Sequence, residues 1–117
     1  FLRSKLQGDW GVQSGTDDDS KWLVWNDPVT APSQVYLYDR TAATLTPFYT
    51  SRPELAGAPL QPMYAREIKA RDGLTLPSYL TLPPGSDSNA DGVPDRPVPL
   101  VMVVHGGPWS RDGYGYN

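Results

Sequence analysis

Apolar and polar residues alternate in three short segments of the first half of the chain, and this period of two predicts β-strands. The segments are 21–26, 34–39 and 44–50, and turn residues such as Asn26-Asp27-Pro28 separate them. Their even spacing indicates an antiparallel meander, the unit from which propeller blades are built. Any other antiparallel sheet would share this pattern, so the strands predict a mainly β fold and leave its type open.

A segment rich in proline and glycine, 51–62, interrupts the strand pattern and indicates a linker between two domains. Strand patterns resume at 63–70, and Asp72-Gly73 then predicts a hairpin turn. Leucines share one face of the strand that follows, at Leu74, Leu76, Leu80 and Leu82. Pro77 interrupts this strand, which makes it an edge or bulged strand.

The run 98–104 is almost continuously apolar and predicts a strand buried on both faces. Such strands occur in α/β sheets that helices cover. A buried helix is the alternative, but the prolines at 97 and 99 and the glycines at 106 and 107 argue against it.

Composition and charge exclude several classes of function. The 117 residues carry a formal net charge of −3, so no basic surplus supports nucleic-acid binding. The absence of cysteine removes disulfides, thiolate metal sites and a cysteine nucleophile. No apolar run approaches the ~20 residues that span a bilayer. The first residue is Phe1 rather than methionine, so a fragment is one expectation.

Candidate chemistry follows the apolar run directly, as His105-Gly106-Gly107-Pro108-Trp109. Glycines at the carboxyl end of a buried strand let the backbone approach a ligand, and bare N–H groups there can stabilise an oxyanion. The α/β-hydrolases build their oxyanion hole partly from an HGGG-type loop in this position. A glycine-proline turn that only leaves a strand is the alternative.

Several stretches, taken in order, resemble one family of enzymes. They are Y-L-Y-D-R at 36–40, S-R-P-E-L at 51–55, E-I-K-A-R-D-G-L-T-L-P-S-Y-L-T-L-P at 67–83 and V-V-H-G-G-P-W-S-R-D at 103–112. From about residue 20 onward the chain resembles the prolyl oligopeptidase family of serine peptidases, in particular its acylaminoacyl-peptidase and dipeptidyl-peptidase-like members. The resemblance implies the end of a β-propeller at 1–55, a linker at 56–63 and the first strands of an α/β-hydrolase domain at 64–117.

The same resemblance implies roles for individual residues. The parent would hydrolyse short peptides or remove N-terminal residues through an acyl-enzyme, with no cofactor required. His105, Gly106 and Gly107 would form the oxyanion-hole region, and Trp109 and Arg111 would border the substrate cleft. Some relatives have a hydroxyl-donating tyrosine where His105 stands, so a structural role is expected for this histidine.

A complete catalytic triad is missing from the sequence. No serine lies in the G-x-S-x-G context that a nucleophile elbow requires, and the single histidine belongs to the glycine loop. We therefore expect an active serine peptidase as the parent and an inactive fragment here.

A second candidate site lies at 87–95, which reads D-S-N-A-D-G-V-P-D. Oxygen ligands at alternate positions, then a glycine, a backbone carbonyl and a further acid, follow the order of a calcium loop. The candidate ligands are Asp87, Asn89, Asp91, Val93 through its carbonyl, and Asp95. The loop resembles thrombospondin type-3 and dockerin segments, but Val98 stands where the bidentate glutamate is expected. A solvated turn rich in Asp and Asn is the alternative.

Two classes of function remain in view. The first is the peptidase fragment, whose parent would take peptide substrates and bind neither nucleic acid nor a membrane span; the sequence is compatible with an oligomer. The second is a non-catalytic β module that binds calcium or a protein partner, with Trp10, Trp22 and Trp25 on a binding face. Aromatics in strands are more often core. The calcium motif favours a periplasmic or secreted location over a cytoplasmic one.

Overall fold

Six β-strands and two short 3₁₀ turns make up the regular structure in a computed structural model, which describes residues 1–116. The strands are β1 (Asp9–Gly15), β2 (Lys21–Asp27), β3 (Gln34–Asp39), β4 (Thr44–Thr50), β5 (Met63–Lys69) and β6 (Thr75–Thr81). The 3₁₀ turns are Leu2–Ser4 and Pro53–Leu55, and residues 1–116 contain no α-helix. The prediction of a mainly β fold is confirmed.

The first compact unit comprises Phe1–Leu60 together with the segment that begins at Gly115. Its sheet has the order β1-β2-β3-β4, with every neighbouring pair antiparallel, as the predicted meander requires. Strands β3 and β4 have the predicted bounds, and β2 extends one residue further to Asp27. Strand β1 was not predicted, because its glycines and polar residues hide the alternation and its register shifts between Val12 and Ser14.

The core of this unit is small and lies against β2. Val24 is completely buried and packs with Leu2 and Leu6 of the N-terminal segment. The partly buried residues around this cluster are Trp10, Trp22, Tyr36, Tyr38 and Leu45. Trp10 and Trp22 therefore pack on the core, which is the usual role of aromatics in strands. Trp25, by contrast, is exposed.

The second compact unit, Gln61–Tyr114, contains the β5–β6 hairpin. The predicted turn forms at Asp72-Gly73, where Gly73 has a φ of +88° and the Asp72 carboxylate accepts the N–H of Leu74 at 3.1 Å. The two units divide between Leu60 and Gln61, inside the segment 56–63. The assignment of these units to a propeller and a hydrolase domain stays a prediction.

The predicted strand at 98–104 does not form, and this expectation is wrong for the described residues. The segment has no regular structure, and Leu100, Val101, Met102, Val103 and Val104 are all at least 75% exposed. A strand buried on both faces needs neighbouring strands and a covering layer on each side. Residues 1–116 provide neither, so the apolar run stays in solvent.

Both helical turns within residues 1–116 are three residues long, and no helix there is long and apolar enough to cross a membrane.

Candidate functional site

The glycine loop lies on the surface directly after the exposed apolar segment. His105, Gly106, Gly107 and Trp109 are all exposed, and the indole of Trp109 is 98% exposed. Gly107 has a φ of +74°, in the left-handed region that side chains rarely adopt. A Cβ at Gly106 or Gly107 would meet nothing within 4 Å, so space around the loop is open.

The backbone of this loop offers donors rather than side-chain chemistry. In the part of the chain from 1 to 116, the N–H groups of Gly106 and Gly107 donate no hydrogen bond, while His105 Nδ1 lies 3.4 Å from the Gly106 carbonyl oxygen. Such N–H groups can donate hydrogen bonds to a negatively charged oxygen. The contact with Gly106 is the one polar contact of the imidazole within residues 1–116, and the structural role expected for His105 stays a prediction.

Trp109 and Arg111 lie outside the two clefts that are described for residues 1–116. Two clefts, of about 410 Å³ and about 230 Å³, are each confined to one unit, and neither is lined by Trp109 or Arg111. The larger of the two lies between the β2–β3 connection and the segment that leads from β4 into the Pro53–Leu55 3₁₀ turn, around Gln34 and Arg52. Neither of these two clefts brings the predicted cleft residues together, and their role stays a prediction.

The acidic loop 87–95 folds as a chain of turns in which carboxylates accept backbone N–H groups. Asp87 accepts the N–H of Asp91 at 3.1 Å through Oδ1 and the N–H of Gly92 at 2.9 Å through Oδ2. Asp91 accepts the N–H of Val93 at 2.7 Å, and Asp95 accepts the N–H and the hydroxyl of Ser88. This is the behaviour expected of a turn rich in Asp and Asn.

The predicted calcium ligands do not converge in this arrangement. Residues 1–116 contain no group of three or more His, Asp or Glu side chains placed to hold one cation. Asn89 donates its amide to Asp91 Oδ2 at 2.9 Å, which also occupies a carboxylate oxygen. A calcium cage would require these carboxylates to turn away from their present donors. Calcium binding by this loop stays a prediction.

Two residues of β5 hold this loop, and sequence reasoning missed both. The Tyr64 hydroxyl donates a hydrogen bond to the Asp87 carboxylate, which raises the pKa of Tyr64. Arg66 donates from Nη2 to the Asp91 carbonyl at 2.7 Å and lies over the Tyr64 ring, 5.5 Å from its centroid. Strand alternation places Tyr64 and Arg66 on one face of β5. No sequence signal indicated that the loop returns to that face.

The Asp87 carboxylate is correspondingly stabilised in its charged form. Partial desolvation acts to raise its pKa, but hydrogen bonds from Tyr64 and from the N–H groups of Gly92, Asp91 and Ala90 together lower the pKa below 3.8. The loop is therefore tied to β5 by a charge-assisted hydrogen bond at ordinary pH.

Sequence comparison places relatives of this chain among dipeptidyl peptidases. The chain is 53% identical over 109 residues to dipeptidyl aminopeptidase BIII of Pseudoxanthomonas mexicana, an alignment that covers 93% of this chain and 16% of that protein. It is 32% identical over 131 aligned residues to dipeptidyl peptidase family member 6 of Caenorhabditis elegans, covering all of this chain and 18% of that protein. No family model matches the chain, and no solved structure matches it.

The chain thus spans less than a fifth of the length of these two curated relatives. Their names confirm the predicted resemblance to dipeptidyl-peptidase-like members of the prolyl oligopeptidase family.

Proposed function

We propose that this chain is part of a serine peptidase that removes dipeptides from free N-termini, and that its glycine loop supplies the oxyanion hole. The observation that carries the proposal is the 53% identity, over 93% of the chain, to a protein named a dipeptidyl aminopeptidase. The exposed N–H groups of Gly106 and Gly107 agree with it.

The glycine loop would act when the peptide bond is attacked. A serine hydroxyl that adds to the scissile carbonyl leaves a negatively charged oxygen, and donors aimed at that oxygen lower the barrier. Glycine at 107 allows the left-handed backbone, and the missing side chain lets the substrate approach the N–H groups. The serine, its histidine base and the aspartate would come from outside these 117 residues, so the chain alone would be inactive.

Trp109 and Arg111 would border the cleft on the same loop. A 98% exposed indole leaves a large apolar face available to pack against a peptide. The neighbouring guanidinium would hydrogen-bond a substrate carbonyl or carboxylate. These two roles rest on the family resemblance, since neither side chain lines a cleft here.

The test is a matched pair of glycine variants in the full-length protein that contains this chain. Gly107→Ala places a Cβ on a residue whose φ is +74°, a conformation that alanine disfavours. The backbone should therefore shift, and its N–H should no longer point at the proposed oxyanion position. We expect kcat for a dipeptidyl anilide to fall by about 100-fold, the size of one lost oxyanion donor, with KM changed little.

Gly113→Ala is the control, because its Cβ would also meet nothing within 4 Å but no left-handed φ is required there. Its kcat should match the wild type. Equal activity of the Gly107 variant and the wild type would remove the oxyanion role from this loop.

A further inference from the structure

Three Asp-Gly pairs occur in the chain, at 72–73, 91–92 and 112–113. This dipeptide can rearrange without an enzyme, because the peptide nitrogen of the glycine can reach the side-chain carboxyl of the aspartate before it. Glycine has no side chain that would block this approach. The reactivity of each pair in the folded protein therefore depends on how firmly its surroundings hold the nitrogen and the carboxyl apart.

The rearrangement begins when the glycine nitrogen adds to the aspartate Cγ. A C–N bond forms, the protonated carboxyl loses its OH as water together with the amide hydrogen, and a five-membered succinimide ring closes. Water then opens the ring at either carbonyl carbon. Opening at Cγ restores the original chain, whereas opening at the main-chain carbonyl leaves the backbone running through the side chain as β-aspartate. Water is the only co-reactant, released once and taken up once.

The pair Asp91-Gly92 is held at both atoms that would have to meet. The Gly92 N–H donates to Asp87 Oδ2 at 2.9 Å, and this acceptor is charged. Both oxygens of the Asp91 carboxylate are engaged as well, Oδ1 by the Val93 N–H at 2.7 Å and Oδ2 by the Asn89 amide at 2.9 Å. Hydrogen bonds on each side therefore have to break before the nitrogen can reach Cγ.

Packing against β5 adds to the hold on this pair. Arg66 donates from Nη2 to the Asp91 carbonyl oxygen at 2.7 Å. A Cβ on Gly92 would overlap Arg66 Nη2 and lie 2.7 Å from Tyr64 Cγ, so the glycine backbone lies directly on these side chains. The peptide between Asp91 and Gly92 cannot rotate towards Cγ unless the loop leaves the strand.

The pair Asp72-Gly73 lies instead in the exposed turn of the β5–β6 hairpin. Both residues are exposed, and a Cβ on Gly73 would meet nothing within 4 Å. The Gly73 N–H donates to the neutral carbonyl oxygen of Ala70 at 3.0 Å. Within residues 1–116 the Asp72 carboxylate accepts one hydrogen bond, from the Leu74 N–H at 3.1 Å. Hydrogen bonds in an exposed turn open at a low free-energy cost.

The third pair, Asp112-Gly113, is open as well but belongs to no turn or strand. Residues 111–113 form no regular structure, and a Cβ on Gly113 would meet nothing within 4 Å. A rearrangement there would change no hydrogen-bonded element of residues 1–116. At 72 the product lengthens the backbone of a tight turn and moves the carboxylate that accepts the Leu74 N–H.

We propose that Asp72 is a site of spontaneous isomerisation to β-aspartate, and that the contacts of the 87–95 loop with β5 protect Asp91 from the same reaction. All of these contacts lie within the unit Gln61–Tyr114. The proposal is independent of the peptidase function, because no step of it uses a substrate or a catalytic residue.

The test follows β-aspartate at 72 and at 91 in the full-length protein that contains this chain. The protein is incubated at neutral pH, once folded and once unfolded in urea. Mass spectrometry of its peptides, with a fragmentation that distinguishes the two linkages, gives the rate at each site. Asp72→Glu is the control for the assignment, because the longer side chain keeps the charge but cannot close a five-membered ring.

Two further variants test the protection of Asp91. Asp87→Ala removes the acceptor of the Gly92 N–H, and Asp87→Asn keeps one neutral acceptor oxygen in its place. Asp95→Ala is the matched control from the same loop, because the Asp95 carboxylate accepts from Ser88 and contacts neither reacting atom.

We expect similar rates at the two sites in urea. In the folded protein Asp72 should react at least about tenfold faster than Asp91, since a hydrogen bond to a charged acceptor has to break first at 91. Asp87→Ala should raise the rate at 91 by a similar factor and Asp87→Asn by less, while Asp95→Ala leaves it unchanged. The rate at 72 should be the same in all three variants.

Equal rates at 72 and 91 in the folded protein would overturn the proposal. It would also fail if β-aspartate formed at 72 in urea but not in the folded protein. A rate at 91 that rises in neither Asp87 variant would remove the loop contacts as the source of the protection.

Discussion

Asp18, in the turn between β1 and β2, shows how strongly a short polar side chain can organise a turn in solvent. Its carboxylate accepts hydrogen bonds from the Thr16 hydroxyl at 2.6 Å, the Ser20 hydroxyl at 2.9 Å and the Ser20 N–H at 3.2 Å. These donors favour the charged form and lower the pKa of Asp18 from 3.8 to about 2. The sequence shows an acidic run at 17–19, but a charge run does not reveal which donors face one carboxylate.

This lowered pKa gives a pH dependence with a defined sign. Because the folded pKa lies below the unfolded value, the stabilisation from Asp18 is complete above about pH 4 and disappears as pH falls towards 2. Thr16→Val removes the first donor, so the pKa of Asp18 should rise towards 3.8 in an NMR titration. Thr30→Val, whose hydroxyl bonds only the Pro28 carbonyl, should leave it near 2. A Thr16→Val protein with an unchanged Asp18 pKa would show that this hydrogen bond is unimportant.

At the scale of elements, the strands with clean alternation were predictable and the others were not. β2, β3, β4 and the β5–β6 hairpin form because their side chains alternate between turn residues with defined preferences. β1 lacks that alternation. The strand predicted at 98–104 would need distant partners that the local sequence does not contain, and the segment is exposed instead. For the same reason the turn-rich character of 87–95 was predictable, but its attachment to Tyr64 and Arg66 was not.

The attachment of this loop to β5 depends on the absence of a side chain at Gly92. Its φ is +75°, and a Cβ there would overlap Arg66 Nη2 and lie 2.7 Å from Tyr64 Cγ. Tyr64 Cγ is the ring atom attached to Cβ, so it cannot move without the whole side chain. Arg66 donates a hydrogen bond to the Asp91 carbonyl oxygen, which restricts its movement as well. Gly92→Ala should therefore lower the free energy of unfolding by about 2–4 kcal/mol, for the conformation and the overlap together.

Gly73→Ala is the matched control in the same unit, measured by the same urea titration. Gly73 has a φ of +88° but nothing within 4 Å of its Cβ position, so it should lose only about 1 kcal/mol. Equal losses in the two variants would mean that the loop does not pack on Tyr64 and Arg66.

At the scale of the whole molecule, the chain contains two compact units, and the exposed glycine loop belongs to the second of them. The glycine motif is visible in the sequence by its residue types, and its oxyanion role stays a prediction. Asp27 was not predictable as a partner of Tyr116, because the two residues are 89 positions apart along the chain. The two curated relatives are named dipeptidyl peptidases, and this chain spans less than a fifth of the length of each.

The most direct test compares the full-length protein with the isolated 117-residue chain on one peptide, prepared with a free and with an acetylated N-terminus. Mass spectrometry of the products identifies what is released. The account predicts successive release of dipeptides by the full-length protein from the free peptide only, and no release by the isolated chain, which lacks a triad. Absence of dipeptides from the full-length reaction, or their release by the isolated chain, would contradict it.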